Sequence, residues 1–285
     1  MTRRAHCTLA RWGVALFILV GLLGIIGCPG GDMKEKGSAF PALTDVNTSS
    51  WKKLAGKRIF FGHQSVGANI IAGLGDLAGE YGYIHLRIVE GTAPEVFNNP
   101  AFLHAKIGSN TKPQSKIDAF SALVLGGLGE KTDIAFFKLC YLDITADTDV
   151  QKLFRNYREH LSRLKAARPD VMFLNITVPL TTVQTGIKAW IKKLLGKPLG
   201  GHKDNIKRGE FNDLLRSTYR GKEPIFDLAK IESTRPDGSR ASYAKDGKQY
   251  DCLAPEYTDD GGHLNAQGRR IAAEQLLIFL AERME

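Results

Sequence analysis

The chain between residues 60 and 67, FFGHQSVG, joins a segment of strand character to a segment of helical character. An apolar run that starts at Ile59 leads into it, and residues 68–74 space their apolar side chains as a helix does. A strand, a glycine-containing turn and a helix in this order place the turn at the carboxyl edge of a sheet. The pattern therefore favours an α/β fold with the Ser65 hydroxyl at that edge.

Ser65 has the surroundings that a serine nucleophile requires. Such a residue needs an exposed hydroxyl and nearby backbone N–H groups that stabilise an anion, and the first turn of a helix provides those groups. Serine is also a common cap at the start of a helix. On this stretch alone, capping is the commoner role for Ser65, and both interpretations stay open.

Strand-like and helix-like segments alternate along the chain. The predicted strands are 59–62, 84–90, 132–139, 171–177 and 224–228. The predicted helices are 69–80, 115–126, 150–168, 186–195, 205–219 and 266–283. Residues 91–113 and 233–260 are predicted to form loops, and the first loop is predicted to contain a helical turn at 100–106. Because the strands are apolar without clean alternation, the sequence predicts a parallel sheet with helices on both faces.

The N-terminal segment predicts export and a lipid anchor. Three arginines lie among the first eleven residues, and residues 12–26 form an apolar run of signal-peptide length, shorter than a membrane span. The run ends in IIGC at 25–28, which resembles a bacterial lipobox, in which the cysteine is lipidated. We therefore predict a signal peptide at 1–27, lipidation at Cys28 and a place in the cell envelope on the periplasmic side. Secretion with cleavage elsewhere and a retained anchor helix are the alternatives.

The rest of the chain is predicted to form a tether followed by one domain. Residues 28–50 are rich in Gly, Lys, Ser, Thr and Pro without periodicity and predict a flexible tether. Residues 51–285 are long enough for a single domain with a substantial core. The net charge of +9 falls to +6 without the three arginines of the signal segment. The other basic residues are scattered without interleaved aromatics, so we predict no nucleic-acid partner.

No residue pattern predicts a metal ion or another cofactor. Cys140 and Cys252 lack zinc-type spacing, and their pairing in an oxidising compartment stays open. The acidic cluster at 143–149 lacks the glycine and the terminal glutamate of a calcium-binding loop, so its members are predicted to serve turns and caps. His63 has no second histidine at ligand spacing and is predicted to make local hydrogen bonds.

A second stretch, DDGGHLN at 259–265, precedes the last predicted helix and places Asp260 three residues before His263. A serine nucleophile needs a base to take its proton, and the base needs a partner that holds its tautomer. In a doubly wound sheet the loop after the last strand can reach the loop after the first, where Ser65 lies. Turn formation by Asp260 and a helix-start role for His263 are the alternatives. Together with the Ser65 turn, the stretch favours a triad of Ser65, His263 and Asp260.

With both stretches in place, the chain resembles the SGNH/GDSL hydrolase superfamily in two of its four sequence blocks. The first block matches at 62–66, GHQSV, and the last at Asp260 to His263, within GGHLNAQGRRIA. The resemblance implies a flavodoxin-like, three-layer α/β/α domain over 51–285. It also implies ester hydrolysis or acyl transfer, with Ser65 as nucleophile, His263 as base and Asp260 as its partner.

The first and third blocks of the family are altered. Where the family has Gly-Asp-Ser-Leu in the first, His63 and Gln64 stand between Gly62 and Ser65 here. The second supplies a glycine whose N–H binds the oxyanion, and we assign this role to Gly108, with Gly91 as the alternative. The third, Gly-x-Asn-Asp, is CYLD at 140–143 here, so leucine stands where the family has a hydrogen-bonding asparagine. Loss of such a donor costs about a hundredfold or more in rate. We therefore expect a replacement, and Asn110 is the candidate, with a turn role as its alternative.

The resemblance and the predicted location together imply a function. We expect a lipid-anchored serine esterase that hydrolyses an O-acetyl or other acyl ester on an envelope carbohydrate. A small lipid ester or thioester is a further possible substrate. An acetyltransferase would use the same triad, and a glycan-binding or partner-binding protein without activity fits the altered blocks. The substrate class rests on analogy with the family alone.

Overall fold

The computed structural model describes residues 38–184, 194–195 and 200–284. Cys28, the predicted signal peptide and most of the predicted helix 186–195 lie outside these ranges. The helices are α1 Thr48–Ala55, α2 Ser65–Glu80, α3 Pro113–Leu125, α4 Val150–Ala167, α5 His202–Tyr219, α6 Leu228–Ser233 and α7 Ala266–Glu282. The strands are β1 Arg58–His63, β2 Ile88–Glu90, β3 Ala101–Lys106, β4 Ile134–Phe137, β5 Met172–Ile176, β6 Ile225–Phe226, β7 Ser242–Lys245 and β8 Lys248–Asp251.

Strands β1 to β6 form one sheet in the order β2-β3-β1-β4-β5-β6, and every pairing is parallel. Strand β1 therefore has β3 on one side and β4 on the other, and the chain changes direction across the sheet at this strand. In open parallel sheets the crevice at the carboxyl end of such a switch point is the usual ligand site. Ser65 follows β1 with only Gln64 between them and lies at this place.

Helices cover both faces of the sheet because each strand carries apolar side chains on both of its faces. Successive side chains of a strand point to opposite faces. Phe60 and Phe61 are both fully buried, yet they belong to two separate clusters of the core. Phe61 packs in the cluster that includes side chains of α1, α2 and α7, and Phe60 in the one that includes side chains of α3, α4 and α5. The predicted α/β/α layering with a parallel sheet is confirmed.

Two local predictions were wrong. The predicted helical turn at 100–106 is strand β3, inserted between β1 and β2 and buried along most of its length. The predicted loop at 233–260 contains helix turns and the antiparallel hairpin of β7 and β8. Asp246 and Gly247 connect the two strands of the hairpin with φ of 51° and 76°. Asp-Gly with both φ values positive is a common two-residue hairpin turn.

The folded unit begins before the predicted boundary at Trp51. Leu43 and Ser50 are buried, and α1 starts at Thr48 with Asn47 capping its first turn. The end of the predicted tether is therefore part of the fold, because Leu43 belongs to the same core cluster as the buried side chains of α7. The contacts group Gly37–Glu285 into one unit. Within the described ranges, no helix is long and apolar enough to cross a membrane.

Candidate active site

The turn between β1 and α2 presents Ser65 as the first residue of the helix. Gln64 is the N-cap residue, in an extended conformation and without a capping bond from its side chain. The first backbone N–H bonded within the turn is that of Ala68, which donates to the Gln64 carbonyl. The N–H groups before it, from Ser65 to Gly67, lie in the part of a helix that has no intrahelical acceptor. These N–H groups lie at the positive end of the helix dipole and produce a positive potential beside the Ser65 hydroxyl.

The structure brings Ser65, His263 and Asp260 together. The Nε2 atom of His263 lies 2.9 Å from Ser65 Oγ, although the two residues are 198 positions apart. The Nδ1 atom of His263 lies 2.6 Å from Oδ2 of Asp260. The other carboxylate oxygen of Asp260 accepts the backbone N–H groups of Gly262 and His263 at 2.9 and 2.8 Å. The Ser65 hydroxyl therefore contacts an imidazole instead of capping its own helix.

The surroundings of Asp260 keep it ionised. Its hydrogen bond with the His263 ring, followed by those from the two backbone N–H groups, holds the pKa of this carboxyl well below its usual range. An anion at Nδ1 favours the tautomer with hydrogen on that nitrogen and leaves Nε2 to accept a proton from Ser65. The side chains of His263 and Asp260 are 40% and 56% exposed, so water reaches the group.

Residues that the sequence did not single out hold the His263 loop in place. Asn69 lies one helical turn after Ser65 in α2, and its amide oxygen accepts the Leu264 N–H at 3.2 Å. The Thr182 N–H donates to the carbonyl of Gly261 at 2.9 Å. Gly261 has a φ of +90°, which favours glycine. Spacing by one helical turn from Ser65 was the signal available for Asn69, because such residues share a helix face.

Tyr141, in the loop after β4, lines the other side of His263. The two rings meet edge to face with centroids 5.8 Å apart. Gly262 lies directly against the tyrosine, since a Cβ on this glycine would be 2.8 Å from the Tyr141 Cζ atom. The loops after β1, β4 and β5 thus all contribute to the surroundings of the imidazole, as expected for a site at the carboxyl edge of a parallel sheet.

Gln64 connects the Gly108 loop to the turn that carries Ser65. Its Nε2 donates to the carbonyls of Ile107 and Gly108, both at 2.9 Å. Gly108 has a φ of +57°, and a Cβ there would be 2.6 Å from the Lys116 backbone nitrogen, so only glycine fits. The glutamine that departs from the family's first block therefore has a local role. Gly91 is excluded as an oxyanion donor, because its N–H donates to the His104 carbonyl.

Asn110 lies in the same loop as Gly108, and its side-chain oxygen accepts a hydrogen bond from another residue of the protein. The oxygen accepts the Lys116 ammonium at 2.9 Å. In the altered third block, Leu142 is 39% exposed, whereas Asp143 is buried and pairs with Lys116. The predicted turn role of Asp143 is therefore incomplete, because its carboxylate also forms a buried ion pair. Asp149 caps α4, as predicted.

His63 is the last residue of β1 and makes local hydrogen bonds, as predicted. Its Nδ1 is 2.9 Å from the Gln64 carbonyl oxygen, and its Nε2 is 3.0 Å from Nδ1 of His104. Burial, as the main cause, lowers the pKa of His63 to about 4 and keeps the ring neutral. Cys140 and Cys252 are both buried and unpaired. Across the described ranges, no three His, Cys, Asp or Glu side chains form a group suited to a metal ion.

No family model matches the sequence, and no curated protein matches it. Solved structures do match the fold. A GDSL-like lipase from Bacteroides thetaiotaomicron aligns with a TM-score of 0.50 at 13% identity, covering 83% of this chain and 100% of its own. A protein assigned as a GDSL-like lipase from Parabacteroides merdae aligns with a TM-score of 0.50 at 12% identity, covering 81% and 97%. The chain therefore has the α/β fold that the resemblance to SGNH/GDSL hydrolases implies.

Proposed function

We propose that this chain, which has the fold of GDSL-like lipases, is a serine hydrolase that cleaves carboxylic esters through an acyl-enzyme. The observation that carries the proposal is the hydrogen-bonded series Asp260–His263–Ser65, with distances of 2.6 and 2.9 Å. His263 takes the Ser65 proton as Oγ attacks the ester carbonyl, and then returns it to the leaving alcohol. Water, activated by the same imidazole, attacks the acyl-enzyme and releases the acid.

The oxyanion of each tetrahedral intermediate needs fixed hydrogen-bond donors. We assign this role to the N–H groups of Ser65 and Gly108 and to the side-chain amide of Asn110. Support comes from the helix start at Ser65 and from the two hydrogen bonds by which Gln64 holds the Gly108 loop next to it. Since the Asn110 oxygen is occupied by Lys116, the amide would act through its nitrogen.

The substrate we propose is a small acyl ester on a carbohydrate of the cell envelope. The first candidate for this ester is an O-acetyl group. The apolar run at 12–26 followed by Cys28 supports an envelope location, and a solvent-exposed His263 suits a substrate that is part of a large polar molecule. Labelling with palmitate, compared between the wild type and Cys28→Ala, tests the anchor. Retained label in the Cys28→Ala variant would exclude lipidation at this cysteine.

The activity is tested with p-nitrophenyl acetate and a fluorophosphonate probe. Wild type should hydrolyse the ester and carry the probe on Ser65, whereas Ser65→Ala should do neither. Ser217→Ala is the matched control, because this serine lies exposed on α5 and bonds only to a carbonyl of its own helix. Acetate release from acetylated polysaccharides then tests the substrate class. Transfer of the acetyl group to an added oligosaccharide would identify a transferase, and a wild type that does not react with either reagent would leave a binding protein.

A further inference from the structure

Lys116 of α3 and Asp143 after β4 form an ion pair with no exposure to solvent. The lysine Nζ lies 2.5 Å from Asp143 Oδ2, and both side chains are 0% exposed. Removing two charges from water is expensive, so a buried pair often stabilises a protein no better than apolar side chains of the same size. Stability alone therefore does not explain why a lysine and an aspartate occupy this position.

The third member of the cluster is Asn110. The Lys116 Nζ donates to its amide oxygen at 2.9 Å. An asparagine amide has an acceptor oxygen on one side and a donor nitrogen on the other. An ammonium held at the oxygen therefore prevents the amide from rotating by half a turn, and it directs the N–H groups away from the lysine.

The ion pair also connects two loops of the candidate active site. Asp143 Oδ2 accepts the backbone N–H of Cys140 at 2.6 Å, which fixes the carboxylate in the loop after β4. Lys116 lies at the start of α3, after the Gly108 loop, which Gln64 connects to the turn that carries Ser65. Asp143 therefore positions the Asn110 amide through Lys116. Asp143 lies in the loop after β4, where the family's third block has an asparagine.

We infer that Lys116 and Asp143 are positioning residues, which hold the Asn110 amide so that its N–H faces the oxyanion formed at Ser65. This inference rests on the proposed function and extends it to Lys116, which lies outside the four sequence blocks, and to the aspartate of the third block. A donor that leucine cannot provide at position 142 is supplied from the neighbouring loop, and the buried pair gives it a single orientation. Preorganised donors of this kind stabilise a developing negative charge without rearrangement during the reaction.

A double-mutant cycle with p-nitrophenyl acetate tests the inference. Asn110→Ala should lower kcat about a hundredfold, as expected for one oxyanion donor. Lys116→Met should lower kcat between about tenfold and a hundredfold with KM within about threefold, since the amide is present but no longer oriented. Because both changes act on the same N–H group, the double variant should be within about threefold of Asn110→Ala alone.

Lys138→Met is the matched control. Lys138 is also fully buried and lies close enough to Lys116 and Asp143 to interact with their charges, but its Nζ donates to the Leu139 carbonyl at 3.4 Å. Its replacement should change stability, and any effect on kcat should multiply with that of Asn110→Ala. If Lys116→Met does not fold, Lys116→Met/Asp143→Asn replaces it in the cycle, because the asparagine retains an oxygen for the Cys140 N–H.

The outcomes separate this inference from the proposed function. A wild type that neither hydrolyses the ester nor reacts with the fluorophosphonate overturns both. An active wild type in which the Lys116 and Asn110 effects multiply overturns the positioning role alone. Full activity of Asn110→Ala would likewise remove the positioning role, and with it the third oxyanion donor, while Ser65 and His263 keep their assignment.

Discussion

Gly73 of α2 lies against the backbone carbonyl of Arg269 in α7. A Cβ on Gly73 would be 2.6 Å from that oxygen and 2.8 Å from the Cβ of Ala273. Helix α2 begins at Ser65, and α7 follows the loop that carries His263. The close packing of the two helices therefore sets the separation between the serine hydroxyl and the imidazole.

Gly73→Ala is expected to lower both stability and activity. The added methyl group forces the helices apart, and overpacking of this kind costs about 1–3 kcal/mol. A displacement of about 1 Å between reacting groups can cost about a hundredfold in rate, so we expect kcat at least about tenfold lower under folding conditions. Gly75→Ala in the same helix is the control, since a Cβ there has open space. Urea unfolding and esterase assays should find Gly75→Ala at least as stable as wild type and equally active, because alanine favours a helix more than glycine does. Equal behaviour of the two variants would contradict the argument.

Asp260→Asn is expected to lower kcat about a thousandfold or more with little change in KM. Asparagine keeps an oxygen for the N–H groups of Gly262 and His263, but it lacks the charge that fixes the imidazole tautomer. Asp259→Asn serves as the control, because Asp259 accepts a hydrogen bond from Asn265 instead. Steady-state kinetics should find this control within about threefold of wild type. The same loss in both variants would indicate general damage to the loop.

Gln64→Leu is expected to loosen the Gly108 loop. The change removes two hydrogen bonds to carbonyls, each contributing about 1 kcal/mol, and leaves Gly108 less fixed beside Ser65. We expect lower stability and a kcat about tenfold below wild type, as partial loss of one oxyanion donor would produce. Gln275→Leu loses a similar bond, to the Pro41 carbonyl, on the α7 side of the molecule. If Gln275→Leu lowered kcat as much as Gln64→Leu, the loss could not be assigned to the Gly108 loop.

The stability of the protein is expected to decrease as the pH is lowered, because the buried His63 ring resists protonation. Burial, with smaller contributions from His104, Lys138 and Lys106, lowers the pKa of His63 to about 4. The unfolded chain binds a proton at this residue below about pH 6.5, and the folded chain does so only near pH 4. Above about pH 6.5, His63 is neutral in both states and does not lower the free energy of unfolding. As the pH falls to 4, proton uptake by the unfolded chain lowers that free energy by about 3 kcal/mol. Urea midpoints between pH 7.5 and 4.5 should decline more steeply for wild type than for His63→Gln, and parallel curves would refute the assignment.

Much of the candidate site was predictable because its chemistry lies in two short motifs. The strand, turn and helix around Ser65 form from local patterns, and Asp260 and His263 are close enough in sequence to meet within one turn. The alternation of strand-like and helix-like segments likewise predicted the parallel sheet. These features depend on side-chain periodicity and turn residues, which a single sequence contains.

Strand β3 and the Lys116–Asp143 pair could not be predicted in the same way. The run from Ala101 to Lys106 is short and follows a proline, and it becomes a strand because β1 and β2 bond to it on both sides. Lys116 has the appearance of an exposed helix residue in the sequence, and only the neighbouring loop shows that it is buried beside Asn110. Contacts of this kind are set by which segments become neighbours in space.

The sequence by itself determined the fold class, the turn that exposes Ser65 and the local pairing of Asp260 with His263, because each depends on residues within a few positions of one another. The tertiary structure decided that Ser65 meets this pair across 198 residues, since the order of the strands and the packing of α2 against α7 place both loops at one edge of the sheet. It also decided that a buried lysine and aspartate hold Asn110, because burial and charge pairing arise only when distant segments pack together.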